Sequence, residues 1–270
     1  MDPSTLKRRE FLAAAGVAGV GPLAGLGLAA ECGEGSAGKQ FFELRLYRLP
    51  SPEKRERLVE FFGAAGVPAL NRAGVEPVGL FEPIKEQDEE VPPDLFALLP
   101  HRCLESVAGL TSKLMADEEF LRAGAAVLEA PASDAAYERI ESSLLLAFDG
   151  MPKVACPATG DSRLFQLRIY ESHSLKKAQK KIEMFHTGGE LEIFARVGLT
   201  PVFFGEALIG ARIPNLTYML GFDNPDAKEA AWEAFFAHPD WAKLKADPQY
   251  KNTVSRITNI VLRPSACSQV

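Results

Sequence analysis

Apolar and polar residues alternate along residues 164–170, and this two-residue period predicts a β-strand. The apolar face of the strand consists of Phe165, Leu167 and Ile169. The polar face consists of Gln166, Arg168 and Tyr170. We expect the apolar face to pack on helices and the polar face to point into the space between two sheets.

The pattern changes to helical spacing over residues 175–197, where the apolar positions recur three or four residues apart and the lysines face outward. The later elements predicted by the pattern are two β-rich runs at 201–210 and 215–222, a helix over 225–247 that is broken at Pro239, and a closing strand over 256–263. The resulting order β-α-β-β-α-β is that of the ferredoxin-like unit.

The same succession of elements occurs twice. FELRLY at 42–47 matches FQLRIY at 165–170, and NRAGVEPVGLFE at 71–82 parallels ARVGLTPVFFGE at 195–206. Because the whole order recurs, the repeated unit is a domain rather than a short solenoid repeat. The predicted organisation is a first domain over 39–148, a linker rich in Pro, Gly and small residues over 149–162, and a second domain over 163–264.

Such a unit carries its helices on one face of its sheet, so the other face needs a cover. Two copies on one chain supply that cover by placing sheet against sheet. We therefore predict an α+β fold in which two tandem ferredoxin-like units form a pseudo-dimeric α/β barrel.

The N-terminal region has the features of a targeting segment. Lys7, Arg8 and Arg9 precede an uncharged run over 11–30 that is rich in Gly and Ala. This arrangement resembles a twin-arginine (Tat) export signal, and we assign residues 1–38 to the signal and its tail. The prediction is a periplasmic or otherwise exported protein whose membrane contact is made only through this signal; a retained N-terminal anchor is the alternative.

Composition narrows the functional classes. The formal net charge is −6 and there is no block of Lys and Arg, which argues against a nucleic-acid partner. The cysteines are far apart, without the spacing of a zinc site. The chain also lacks a phosphate-binding loop, a nucleophile elbow, a zincin motif and a haem-attachment motif. The sequence therefore predicts no metal and no cofactor, and it names no catalytic residue.

Six polar residues of the second domain form the candidate pocket, and the first two are Arg168 and Tyr170 on the strand. Inside a barrel these two side chains would need partners, which an anionic or carbonyl-bearing small molecule could supply. The alternative is a structural Arg–carboxylate network that holds the sheets in register, as Glu43 and Arg45 could form in the first domain.

His186 and Glu190 are the next two candidates. They lie one turn apart on the predicted helix, beside a pair of glycines that would weaken a helix interior. At that spacing they could act together in proton transfer or bind a metal weakly, or they could be an exposed hydrogen-bonded pair. Glu206 and Asn215, on or beside the central β-rich runs, complete the candidate pocket.

The phrases FQLRIYESHS, GLTPVFFGE, PNLTYML and AAWEAFFAHPDW resemble the NIPSNAP family, and more narrowly its bacterial exported members with two domains. The resemblance covers nearly everything after residue 39 and implies a dimeric α/β-barrel fold, but it supplies no reaction. One hypothesis is a small-molecule-binding protein with its pocket in the second domain, acting as a cofactor-free oxygenase- or isomerase-like enzyme. The other is a non-catalytic binding or assembly module. Whether the protein is an enzyme, and whether it forms a homo-oligomer, both stay open.

Overall fold

The described part of the chain comprises residues 38–85, 91–158 and 160–270 of a computed structural model. All of these residues belong to one unit, Cys32–Val270. The predicted signal peptide at 1–38 lies, apart from Gly38, outside the described residues and stays a prediction. The boundaries proposed for the two domains likewise stay predictions, and we refer below to the first half and the second half of the described chain.

The strands follow the predicted pattern in both halves. In chain order they are β1 (Phe41–Arg48), β2 (Gly79–Pro83), β3 (Leu95–His101), β4 (Arg139–Ala147), β5 (Leu164–Glu171), β6 (Thr200–Ile209), β7 (Asn215–Phe222) and β8 (Arg256–Pro264). The helices are α1 (Pro52–Phe61), α2 (Val67–Arg72), α3 (Leu104–Met115), α4 (Glu118–Leu128), α5 (Leu175–Phe185), α6 (Glu190–Val197), α7 (Pro225–Ala237) and α8 (Pro239–Ala246). A π-helical segment, Phe62–Gly66, joins α1 to α2.

The strands of the described chain form one closed barrel in the order β1-β3-β2-β8-β5-β7-β6-β4. Every neighbouring pair is antiparallel, and the two halves meet where β2 pairs with β8 and where β4 pairs with β6. Neither half therefore leaves a sheet edge open. The prediction of an α+β barrel in which the two halves cover each other is confirmed.

Equivalent serines begin the first helix of each half. Ser51 accepts a hydrogen bond from the Lys54 backbone N–H through its Oγ, and Ser174 accepts one from Lys177 in the same way. Each serine satisfies a donor that the helix itself cannot pair. The shared cap explains why both halves turn from strand to helix at the same point of the repeat.

The barrel interior at one end is a packed apolar core. Phe81 of the first half contacts Phe165 of the second, with ring centroids 4.9 Å apart, and Phe42 contacts Phe203 at 5.1 Å. Val270, from the last residues of the chain, fills the same core. Because these contacts cross between the halves, the interior core is what holds the barrel closed.

The prediction about the two faces of β5 is wrong. Phe165 and Leu167 point into the barrel interior, whereas Tyr170 packs against Phe185 of α5 on the outside of the barrel. Both faces of this strand are covered, one by the opposite strands and the other by helices. Alternation identifies the two faces of such a strand, but it cannot say which of them faces inward.

The predicted continuous helix over 175–197 is also wrong. The helix α5 ends at Phe185, and α6 begins at Glu190 after Gly189, whose φ is 86°. A residue at positive φ leaves the right-handed helical region, and glycine adopts such a conformation without a steric penalty. The glycine pair therefore separates two helices. The break at Pro239, by contrast, is confirmed, since α7 ends at Ala237 and α8 begins at Pro239.

Candidate functional site

A cavity of about 990 Å³ occupies the barrel interior beyond the packed core. Its inner wall is apolar and draws on both halves: Leu44, Leu46, Phe96, Ile169 and Ile260. The strand period explains this wall, because inward positions recur at every second residue of β1, β5 and β8. The described chain thus forms a cavity, open on one side and apolar at its inner wall, that is large enough for an organic molecule.

Polar side chains line the cavity towards its mouth: Ser143, Asn215, Thr217 and Thr258. Asn215 donates from Nδ2 to the Arg212 carbonyl oxygen at 3.1 Å and accepts from Thr217 Oγ1 at 3.0 Å. Arg212, in the connection between β6 and β7, has a φ of 66° and donates to Thr258 Oγ1. These contacts tie the connection to the wall of the cavity.

Arg48 joins two carboxylates at the same mouth. Its Nη1 donates to Asp94 Oδ2 at 2.6 Å, and its Nε donates to Glu141 Oε1 at 2.9 Å. Asp94 is buried, whereas Glu141 is exposed. The hydrogen bond from Arg48 lowers the pKa of Glu141. Both acids are therefore already engaged by one guanidinium.

The far end of the barrel is closed by the last residues of the chain. Gln269 donates from its backbone N–H to the Val78 carbonyl oxygen at 2.8 Å, and Ser268 Oγ accepts from the Leu80 N–H at 3.0 Å. These bonds hold Val270, which is only 3% exposed, inside the apolar core. The opposite end of the cavity is lined by residues 83–85 and 210–212.

Three of the six candidate residues lie together, but outside the barrel. Arg168, Tyr170 and Glu190 belong to a cluster between the sheet of the second half and the helices α5 to α7. Tyr170 accepts a hydrogen bond from the Tyr218 hydroxyl at 3.0 Å, and the Arg168 guanidinium carbon lies 5.5 Å from the centroid of the Tyr170 ring. Burial raises the pKa of both tyrosines.

Lys181 and Glu190 form a buried ion pair in this cluster. Lys181 Nζ lies 2.6 Å from Glu190 Oε2, and both residues are almost fully shielded from solvent. The ammonium lies 4.3 Å from the centroid of the Phe185 ring and 6.0 Å from that of Trp241. Burial raises the pKa of the Glu190 carboxyl, while Lys181 opposes the effect. The pair joins α5 to α6 across the glycine break.

The other three candidates lie elsewhere. The centroid of the His186 ring lies 4.8 Å from that of Phe148, with the rings tilted by 45°, and burial lowers the pKa of the imidazole. Glu206 accepts from Gln179 Nε2 at 2.8 Å on the surface, and Asn215 lines the barrel cavity. The structure therefore places the six residues in four separate locations. Because the helix breaks after His186, that residue and Glu190 are not neighbours on one helix face.

The Arg45–Glu43 pair considered for the first half is present, but it does not hold two sheets in register, because both residues belong to β1. Arg45 donates from Nε and Nη2 to the two carboxylate oxygens of Glu43, at 2.7 and 2.9 Å. Burial by itself would raise the pKa of Glu43, but His101, Arg45 and Ser142 lower it to about 2. His101 Nε2 is 3.7 Å from the Glu43 carboxylate, which is too long for a hydrogen bond. The short hydrogen bonds to this carboxylate come from Arg45 and Ser142. The network lies on the helix-facing side of β1 rather than between the sheets.

The cavity between the two halves was not predicted from the sequence. Its wall is assembled from Leu44 and Phe96 of the first half and Ile169 and Ile260 of the second. Each of these residues looks like an ordinary core position in its own strand. If the inward face of β5 had been known, the residues on the inward faces of its neighbouring strands would have indicated the cavity.

Three features of the described chain concern metal binding, membrane insertion and cysteine pairing. Within residues 38–85, 91–158 and 160–270, no group of three or more His, Cys, Asp or Glu could hold a metal ion. The helices in the same part of the chain all fall short of the length and apolarity needed to cross a membrane. Cys103 is disulfide-bonded, whereas Cys156 and Cys267 are free.

Comparison with solved structures shows the same barrel fold in two proteins, each called a "putative monooxygenase". The one from Fusobacterium nucleatum aligns with a TM-score of 0.56 and 10% identity, over 84% of this chain and 93% of that chain. The one from Lactobacillus acidophilus has a TM-score of 0.54 and 10% identity, over 84% and 94%. At this identity the likeness concerns the fold alone.

The NIPSNAP family provides a second comparison. An uncharacterized NIPSNAP-like domain protein from Burkholderia xenovorans aligns with 40% of this chain and 90% of its own, at 18% identity and a TM-score of 0.36. No curated protein matches the chain in sequence. The NIPSNAP family model matches residues 165–269. The second half of this chain is therefore a NIPSNAP domain.

Proposed function

We propose that this chain is an exported protein that binds a small, mainly apolar molecule inside its barrel. The observation that carries the proposal is the cavity of about 990 Å³, with its apolar inner wall and polar mouth. Cavities of about 300–1,000 Å³ are typical of small-molecule sites. We also propose that the two halves are tandem ferredoxin-like units, because each has the strand order that the repeat predicts.

The lining favours a molecule with an apolar body and one polar end. The inner wall offers aliphatic and aromatic carbon, so it stabilises a ligand by burial of apolar surface. Ser143 and Asn215 nearer the mouth can hydrogen-bond a carbonyl or hydroxyl group. This arrangement moves the proposed pocket from the second half to the space that both halves enclose.

The reaction to test is oxygenation without a cofactor, since two proteins with this fold each carry the name "putative monooxygenase". The alternative is binding without turnover. That alternative is favoured by one observation: Asp94 and Glu141 both accept hydrogen bonds from Arg48, so neither is a free base at the mouth. Oxygen uptake by the purified protein in the presence of its co-purifying ligand distinguishes these functions. Uptake indicates oxygenation, and its absence indicates binding without turnover.

Filling the cavity is expected to block binding. The substitution Ile169→Trp adds a bulky side chain to the inner wall, so we expect the affinity for the neutral fluorescent probe N-phenyl-1-naphthylamine to fall at least about tenfold. The measurement is a fluorescence titration of folded protein. Ile257→Trp is the matched control, because Ile257 is 50% exposed on the outside of the neighbouring strand β8.

Two results would contradict the proposed function. One is a wild-type protein that does not bind the probe. The other is an Ile169→Trp protein that binds as tightly as Ile257→Trp, since the probe would then lie outside the barrel. Circular dichroism of both variants shows whether they have the wild-type fold.

Export is proposed on two grounds, the twin-arginine sequence and the disulfide at Cys103. We expect the double substitution Arg8→Lys and Arg9→Lys to retain the protein in the cytoplasm of a Tat-competent bacterium. Cell fractionation followed by immunoblotting measures this. Equal export of the variant and the wild type would refute the Tat assignment.

A further inference from the structure

A second concave surface lies outside the barrel, between the second-half sheet and α7. This groove has a volume of about 400 Å³. Its lining includes Gln166 and Arg168 of β5 and Trp232 and Phe236 of α7. The groove adjoins the cavity inside the barrel, with which it shares one lining residue of α7 and one of β8, but Arg168 and Trp232 line the groove alone.

The groove has an aromatic wall and a guanidinium. The guanidinium carbon of Arg168 lies 4.6 Å from the centroid of the Trp232 ring. Phe236 stacks on Trp232, with centroids 5.6 Å apart and an angle of 23° between the rings. Phe236 is 62% exposed, which leaves apolar aromatic surface uncovered. Arginine beside an aromatic face is well suited to a planar anion.

The two halves of the chain differ at this arginine. In the first half Arg45 is neutralised by two hydrogen bonds to Glu43. The equivalent of Glu43 in the second half is Gln166, which accepts from Trp232 Nε1 at 2.7 Å and donates to Asn259. Gln166 thus fills the position of the carboxylate without supplying its charge.

No other carboxylate takes that role within the described residues. The Arg168 Nε–H is buried there without a hydrogen-bond partner, and Arg168 forms no ion pair. Glu190 is close enough to act on its charge, but that carboxylate is bonded to Lys181. A half-buried guanidinium whose charge is not neutralised by a bonded carboxylate is a feature that a bound anion would correct.

We propose that this groove binds a small aromatic carboxylate, with the carboxylate on Arg168 and the ring against Trp232 and Phe236. A carboxylate is the group that Arg45 binds in the first half. The aromatic ring of the ligand would pack against the aromatic wall of the groove. The rim carries charges of both signs, Lys228, Glu229 and Glu233. One positive and two negative charges leave this rim with a net charge of −1, which opposes an anion, so the attraction comes from Arg168.

The test titrates the protein with benzoate and with its neutral analogue benzamide. The chain contains two tryptophans, of which Trp232 lines the groove, so intrinsic fluorescence reports binding and calorimetry confirms it. We expect benzoate to bind and to change the fluorescence, and benzamide to bind at least about tenfold more weakly.

The decisive variant is Gln166→Glu, which restores the carboxylate found in the first half. The new carboxylate is expected to pair with Arg168 and to weaken benzoate binding at least about tenfold. If this variant does not fold, Arg168→Lys takes its place, because lysine keeps the charge but not the bidentate geometry. Ile169→Trp, inside the barrel, is the control that should leave benzoate binding unchanged.

Several outcomes overturn the inference: no binding of benzoate, equal binding of benzamide, or undiminished benzoate binding by folded Gln166→Glu. Loss of benzoate binding in Ile169→Trp would also overturn it, because the ligand would then occupy the barrel. Failure of the barrel site to bind its own probe leaves this test unaffected.

Discussion

Replacing Lys181 with Met is expected to lower the free energy of unfolding by about 3–5 kcal/mol, because it leaves the buried Glu190 carboxylate without its partner. Chemical denaturation monitored by circular dichroism at pH 7 measures the change. The combined substitution Lys181→Met and Glu190→Leu should recover most of the loss, since it removes both charges from the interior.

The loss should also depend on pH in a defined direction. Burial already raises the pKa of Glu190, and removing Lys181 removes the charge that opposes the rise. A carboxyl whose folded pKa lies above its unfolded value of about 4.3 contributes stability below that value and loses the contribution as the pH rises through the folded pKa. The deficit of Lys181→Met relative to wild type is therefore smallest near pH 4 and grows towards pH 7.

The neighbouring lysine is the control for this prediction. Lys180 pairs with Glu183 on the exposed side of the same helix, so Lys180→Met should leave the unfolding midpoint unchanged within the precision of the measurement. Equal midpoints for Lys181→Met and wild type at pH 7 would show that the ion pair does not hold α5 to α6.

Replacing Phe165 with Ala is expected to lower the free energy of unfolding by about 3–5 kcal/mol, because the ring lies in the core where the two halves meet. The residue is fully buried, and its contact with Phe81 is an edge-to-face arrangement between strands of different halves. Thermal and chemical denaturation measure the loss. Both halves should unfold together, since the core belongs to both.

Phe236→Ala is the matched control, as the same residue type is 62% exposed there, and its effect should stay within about 0.5 kcal/mol. A double-mutant cycle with Phe81→Ala isolates the contact itself. We expect a coupling of about 0.5–1.5 kcal/mol between the two rings. Additive effects of the two substitutions would mean that the halves do not share this core.

The amino-acid sequence by itself determined the order of elements and the fact of the barrel. The alternation at 164–170 and its recurrence at 42–47 depend only on local periodicity and self-similarity, and both strands were found where predicted. Pro239 ended α7 because a proline cannot continue a helix that it interrupts. A sheet with helices on one side needs a second sheet on the other, so duplication predicted closure.

The tertiary structure alone decided which way each face points and which side chains meet. Phe165 faces inward and Tyr170 outward because both sides of β5 are covered, and alternation is the same for either orientation. Gly189 could have remained inside a helix, but its positive φ separates His186 from Glu190. The cavity needs inward residues from β1, β3, β5 and β8 at one level of the barrel. Such a site depends on the register between distant strands, which long-range packing sets and local sequence does not encode.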